Sequence, residues 1–125
     1  MRILGMSLLL AAACASEPPC DFAGHTYLLT ASTRSGNCGP ASEGVQRTTG
    51  TPSPGCVRHD EPGEGSCAFV RTQACALPGG GLVETVWALH RLEDDSTYQG
   101  ILDITITGST SGSCSGTYNI TADRQ

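Results

Sequence analysis

The sequence predicts an all-β fold, a small antiparallel sandwich or barrel stapled by disulfides, and three observations predict it. Residues 82–92, 97–107 and 113–122 are β-rich runs separated by short breaks at 93–96 and 108–112, the signature of a C-terminal three-strand meander. Residues 25–32 alternate in the same way, with Tyr27, Leu29 and Ala31 on one face and Thr26, Leu28 and Thr30 on the other. Cys20, Cys38, Cys56, Cys67, Cys75 and Cys114 make an even set, the right number for three bridges in an oxidising compartment.

The chain opens with a different kind of segment. Met1 and Arg2 form a short positive region, Ile3 to Leu10 an apolar one, and Ala11 to Ala13 a small-residue one, the order that a secretory signal requires. The apolar run is well short of the roughly 20 residues that a membrane-crossing helix needs, and Ser16, Glu17, Pro18 and Pro19 follow it. The expected organisation is therefore a signal peptide at 1–13, a tether at 14–20 extended by the two prolines, and one domain at 21–125.

Leu10, Ala11, Ala12, Ala13 and Cys14 resemble the lipobox of bacterial lipoproteins, in which small residues precede a cysteine that is acylated and becomes the new N-terminus. The family's usual leucine three places before the cysteine is Ala11 here, with Leu10 one place earlier. The resemblance covers only the leader. It implies a palmitate-bearing anchor on Cys14, a bacterial cell envelope location and, because Ala15 stands where the inner-membrane retention signal has aspartate, the outer membrane. The alternative is a periplasmic or secreted protein cleaved after Ala13 or Ala15. Acylation of Cys14 and its removal by cleavage after Ala15 both leave six cysteines, so the count supports export without choosing between them.

Twelve acidic residues face seven basic ones, all arginine, for a net charge of −5. No basic patch or arginine run interleaved with aromatics occurs, which argues against nucleic acid and against electrostatic attachment to anionic lipid. Membrane attachment would have to come from the lipid.

After the first strand, residues 33–66 are rich in Gly, Pro, Ser and Thr and weakly patterned, and read as a long loop stapled through Cys38 and Cys56, with a short strand around 45–49. Residues 67–77 read as a strand with Phe69 and Arg71 on one face and Ala68, Val70 and Thr72 on the other, ended by Pro78 and three glycines. That strand excludes one disulfide. Eight extended residues span about 26 Å, whereas bridged Cα atoms lie within about 7 Å, so Cys67 does not pair with Cys75.

The meander has a definite register. Val83, Val86, Trp87 and His90 also fall at helical spacing, but a turn centred on Asp94 and Asp95 sets Val83 opposite Ile106, Trp87 opposite Leu102 and Leu89 opposite Gly100, so like meets like. Carried through the second turn, the same face sets Ile106 opposite Cys114, Leu102 opposite Tyr118 and Gly100 opposite Ile120. The opposite face, with Glu84, His90, Gln99, Asp103 and Asn119 among its residues, is polar and faces water. The first strand and the last also share a pattern, Thr-Tyr-x-apolar-Thr-Ala at 26–31 and 117–122, which suits two strands paired side by side to close a small barrel.

Candidate chemistry is sparse. His59, Asp60, Glu61 and Glu64 form the most polar cluster, and Pro62 and Gly63 make it a solvated hairpin tip rather than a metal site. The cysteine spacings include no CxxC pair, so no metal is expected. His90 is expected on the polar face with no nucleophile or carboxylate beside it, and the sequence marks no catalytic partner for His25. Ser113 to Gly116 reads as the disulfide-bearing start of a strand, and no nucleophile elbow or phosphate loop occurs. No catalytic residue and no cofactor is expected. The sequence thus points to a non-catalytic binding or structural role in the envelope, with a protein partner or a small apolar ligand. The alternative is an inhibitor or recognition module presenting the disulfide-held loop.

Overall fold

In the computed structural model of the chain the described residues are 20, 22–48, 51–65, 67–93, 96–110 and 112–125. The leader, Cys14, and the tether up to residue 19 lie outside them. Seven strands follow one another: β1 (Thr26–Gly36), β2 (Gly44–Arg47), β3 (Cys56–Pro62), β4 (Phe69–Ala76), β5 (Leu82–Arg91), β6 (Thr97–Ser109) and β7 (Gly112–Arg124). They form one antiparallel sheet in the order β2-β1-β7-β6-β5-β4-β3. The fold is all-β, and the sheet curls into a half-barrel. Among the described residues no helix is long and apolar enough to cross a membrane.

The meander adopts the expected register. Val83 pairs with Ile106, Trp87 with Leu102 and Leu89 with Gly100; Ile106 pairs with Cys114, Leu102 with Tyr118 and Gly100 with Ile120. A one-residue slip would turn every apolar side chain to water, so alternation and short connections together leave one alignment. Asp94 and Asp95, the expected turn centre, lie outside the described residues.

β1 and β7 pair as their shared pattern suggests, and antiparallel pairing gives the repeat a purpose. Leu29 stands opposite Ala122 and Ala31 opposite Ile120, so each large side chain meets a small one. The barrel does not close on this pair. β2 adds one strand beyond β1, and β2 and β3 are the two edges of the sheet. β2 and β3, the two edges, are consecutive in the chain.

Alternate residues of β1, β5, β6 and β7 point into the concave face, where Tyr27, Leu29, Leu89, Tyr98, Leu102, Tyr118, Ile120 and Ala122 form the buried core. Irregular segments cover it. Phe22, ahead of β1, and Ala41, between β1 and β2, pack against this cluster. The phenol of Tyr118 donates to the Gly39 carbonyl at 2.7 Å and holds the second of these segments in place.

Three features let the sheet bend. Gly100 sits mid-strand in β6, where a Cβ would run into the Ala88 carbonyl of the neighbouring strand. Register shifts fall between Thr33 and Ser35 on β1 and between Ile106 and Ser109 on β6, each adding local twist.

Residues 33–66 are not one long loop. The end of β1, all of β2 and all of β3 lie within this stretch, and its described residues outside strands are 37–43, 48, 51–55 and 63–65. The short strand expected at 45–49 is β2. β3 escapes the alternation rule because its inward positions carry Arg58 and Asp60 while Val57, on the other face, is 74% exposed. An edge strand beside a polar cavity has no apolar face to display.

The bridges are Cys20–Cys67, Cys38–Cys114 and Cys56–Cys75. Cys56 and Cys75 face each other across β3 and β4. Cys38–Cys114 fastens the start of the 37–43 connection to β7, reinforced by Asn37 N donating to the Ser115 carbonyl at 2.8 Å. Cys20–Cys67 ties the segment ahead of β1 to the β3–β4 connection.

Candidate functional site

The concave face changes character across the sheet. On β7 and β6 it is wholly apolar at the centre; from β5 to β3 it turns polar, through Trp87 on β5, then Arg71 and Gln73 on β4, then Arg58 and Asp60 on β3. Between this polar side and β1–β2 lies a cavity of about 150 Å³. Its apolar lining includes Phe22, Tyr27, Leu29, Phe69, Trp87 and Leu89, and its polar lining is Gln46, Arg47, Thr48, Arg58, Arg71 and Gln73.

Phe22 is held over the cavity by its own backbone. Its carbonyl accepts from the Tyr27 phenol at 3.0 Å and from Thr48 Oγ1 at 2.8 Å, which satisfies both lone pairs. Thr48 also donates through its amide to the His25 carbonyl at 2.9 Å. The Phe22 ring stacks on Tyr27 at 4.6 Å and meets Phe69 and Tyr98 at 5.1 and 5.0 Å. No periodicity could reveal Phe22, because it belongs to no strand.

Arg71 is locked from two sides. Its Nε and Nη2 reach Asp60 Oδ1 and Oδ2 at 3.0 and 3.2 Å, a bidentate pair, and its Cζ lies 5.9 Å from the Phe22 ring centre and 6.0 Å from that of Phe69. The Arg71 side chain is 12% exposed and Asp60 47%. Asp60 lines a second, more open cavity that shares Phe22, Phe69 and Arg71, and it is absent from the lining of the first. Its carboxylate therefore holds Arg71 from the far side.

Arg58 donates through Nε to Gln73 Oε1 at 3.1 Å. Burial lowers its pKa, the neighbouring Arg71 guanidinium lowers it further, and Asp60 opposes both. It stays charged, since a guanidinium keeps its proton in proteins.

The residues singled out in the sequence lie mostly elsewhere. Cys14 is outside the described residues, and the six other cysteines all form bridges. Of the polar cluster only Asp60 reaches the inner face. His59 and Glu61 form an exposed pair at 3.5 Å on the outer one, and Glu64 lies exposed beyond β3. Among the described residues no three His, Cys, Asp or Glu side chains converge on a common point. His90 pairs with Gln99 on the exposed face, as its register requires. The His25 ring stands edge-on to Tyr27 at 6.5 Å. Arg58 and Gln73 attracted no notice in the sequence, because isolated polar residues on short strands carry no signal until the sheet brings them together.

No family model matches the chain, and comparison with the curated proteins and with the solved structures finds no match. What fold and site define is a disulfide-stapled all-β half-barrel with a small cavity on its concave face, apolar on one side and arginine-lined on the other.

Proposed function

We propose that this is an exported binding domain, held to the bacterial outer membrane by an acylated Cys14, that takes a small molecule into the concave cavity without transforming it. The observation that carries the binding role is the cavity itself. An apolar lining with a few converging polar groups is the usual composition of a ligand site, and here Trp87, Tyr27 and Leu89 supply the first while Arg58, Arg71 and Gln73 supply the second.

Three bridges support export, since disulfides persist in oxidising compartments. The leader supports the anchor. Cys20, which is bridged, lies six positions after Cys14, a reach of about 20 Å at full extension, so an acylated chain would work close to the membrane surface. A recognition module presenting a long loop draws less support, because β2 and β3 divide that stretch into short connections.

Metabolic labelling with palmitate, followed by intact mass of the protein from membranes, tests the anchor. The wild type is expected to carry label, a mass set by cleavage before Cys14 and six oxidised thiols, and Cys14→Ala to carry no label. Equal labelling of both, or of neither, would overturn the lipid anchor while leaving export standing.

A further inference from the structure

The acidic balance of the chain makes the cavity unusual. The protein has twelve acidic and seven basic residues, yet the cavity lining holds Arg47, Arg58 and Arg71 and, among the described residues, no carboxylate. Nearly half of the protein's cations converge on one small cavity. Random placement on an acidic surface would give the reverse.

The geometry around these cations is that of a receptor for a flat anion. Arg58 and Arg71 stand on adjacent strands as diagonal neighbours on one face, two register positions apart, since Arg58 pairs with Gln73 and Arg71 with Asp60. Two partly buried guanidiniums at this spacing repel each other, and burial deprives them of water. An anion between them would relieve both costs. Phe22, Phe69 and Trp87 add flat apolar surfaces to the same lining, beside Leu29 and Leu89 and the uncharged polar Gln46, Thr48 and Gln73. A volume of about 150 Å³ is close to what one benzene ring fills in an apolar cavity.

Resting on the binding role above, we infer that the ligand class is a small organic anion, a carboxylate on a flat apolar body of about one ring. The carboxylate faces Arg58 and Arg71, and the ring lies between Trp87, Phe22 and Phe69. Asp60 tunes the site by neutralising part of the Arg71 charge from behind.

Trp87 is the single tryptophan of the chain, so its fluorescence reports on the cavity directly. The full chain, exported to an oxidising compartment and purified, is titrated with benzoate, with the uncharged isostere benzamide, and with inorganic phosphate. A saturable change in Trp87 emission with benzoate is expected, with benzamide at least tenfold weaker and phosphate unable to displace benzoate at equal concentration. Arg58→Gln should abolish the preference for benzoate over benzamide. Asp60→Asn, which keeps both arginines, should tighten benzoate severalfold and leave benzamide unchanged, and this variant decides the matter should Arg58→Gln not fold.

Equal binding of benzoate and benzamide would overturn the anion assignment and keep the cavity as a binding site. Displacement of benzoate by phosphate at equal concentration would overturn the requirement for a flat body. No response of Trp87 to either aromatic compound would overturn both this inference and the small-molecule role beneath it.

Discussion

Three tyrosines carry much of the specificity of this fold at the scale of single residues. Tyr27, Tyr98 and Tyr118 are all but fully buried, and a buried phenol must find a hydrogen-bond partner or cost stability. Tyr118 finds the Gly39 carbonyl 79 residues away in sequence, and Tyr27 finds the Phe22 carbonyl. Those two phenols therefore each fix an irregular segment over the core. Tyr118→Phe is expected to lower stability by about 1 kcal/mol, the net value of one such bond. Urea denaturation followed through Trp87 would measure it, and an unchanged midpoint would mean that the Cys38–Cys114 bridge and the Asn37–Ser115 hydrogen bond hold the 37–43 segment without the phenol. Tyr27 and Tyr118 themselves were legible in the sequence as residues on the apolar faces of alternating strands. Their partners were not, because a carbonyl in a loop has no sequence signature.

At the scale of elements, the meander is the part that alternation and turn length specify most fully. β5, β6 and β7 have the predicted register pair for pair. Gly100 is the exception in composition, a glycine in the middle of a 13-residue strand, where its missing Cβ admits the Ala88 carbonyl. Gly100→Ala is expected to destabilise by about 1 to 3 kcal/mol as the strands are forced apart, although alanine favours ordered backbone over glycine in an unconstrained position. Thermal unfolding would show the sign, and a stabilised variant would remove the close approach from the account of the curl. β3 stands at the other extreme. Its inward side chains are Arg58 and Asp60, so the polar cavity that gives the strand its interest also erased the hydrophobic pattern by which it could have been recognised.

On the scale of the whole molecule, the bridges replace much of what a larger core would supply. They close 19, 47 and 76 residues of chain, for which the chain-entropy account gives about 3, 4 and 4.5 kcal/mol. Replacing both cysteines of one bridge by serine should thus cost least for Cys56 with Cys75 and most for Cys38 with Cys114, as ranked by denaturant midpoints. A reversed ranking would mean that native contacts rather than chain closure dominate the bridges' effect. Loss of Cys20–Cys67 should have a further consequence, because that bridge lies two residues from Phe22 and holds the segment that roofs the cavity.

Alternation, turn spacing and the cysteine count, read from the amino-acid order alone, determined every strand but β3, the meander register and the even cysteine set, and suggested the pairing of first and last strands. These depend on near neighbours and on a period of two, which survive in one dimension. Tertiary structure alone decided the pairing of the cysteines, the opening of the half-barrel between β2 and β3, the roofing by Phe22, and the gathering of Arg47, Arg58 and Arg71 around one cavity. Each of those joins residues far apart in the chain, and their proximity is set by the curl of the sheet, which has no local signature.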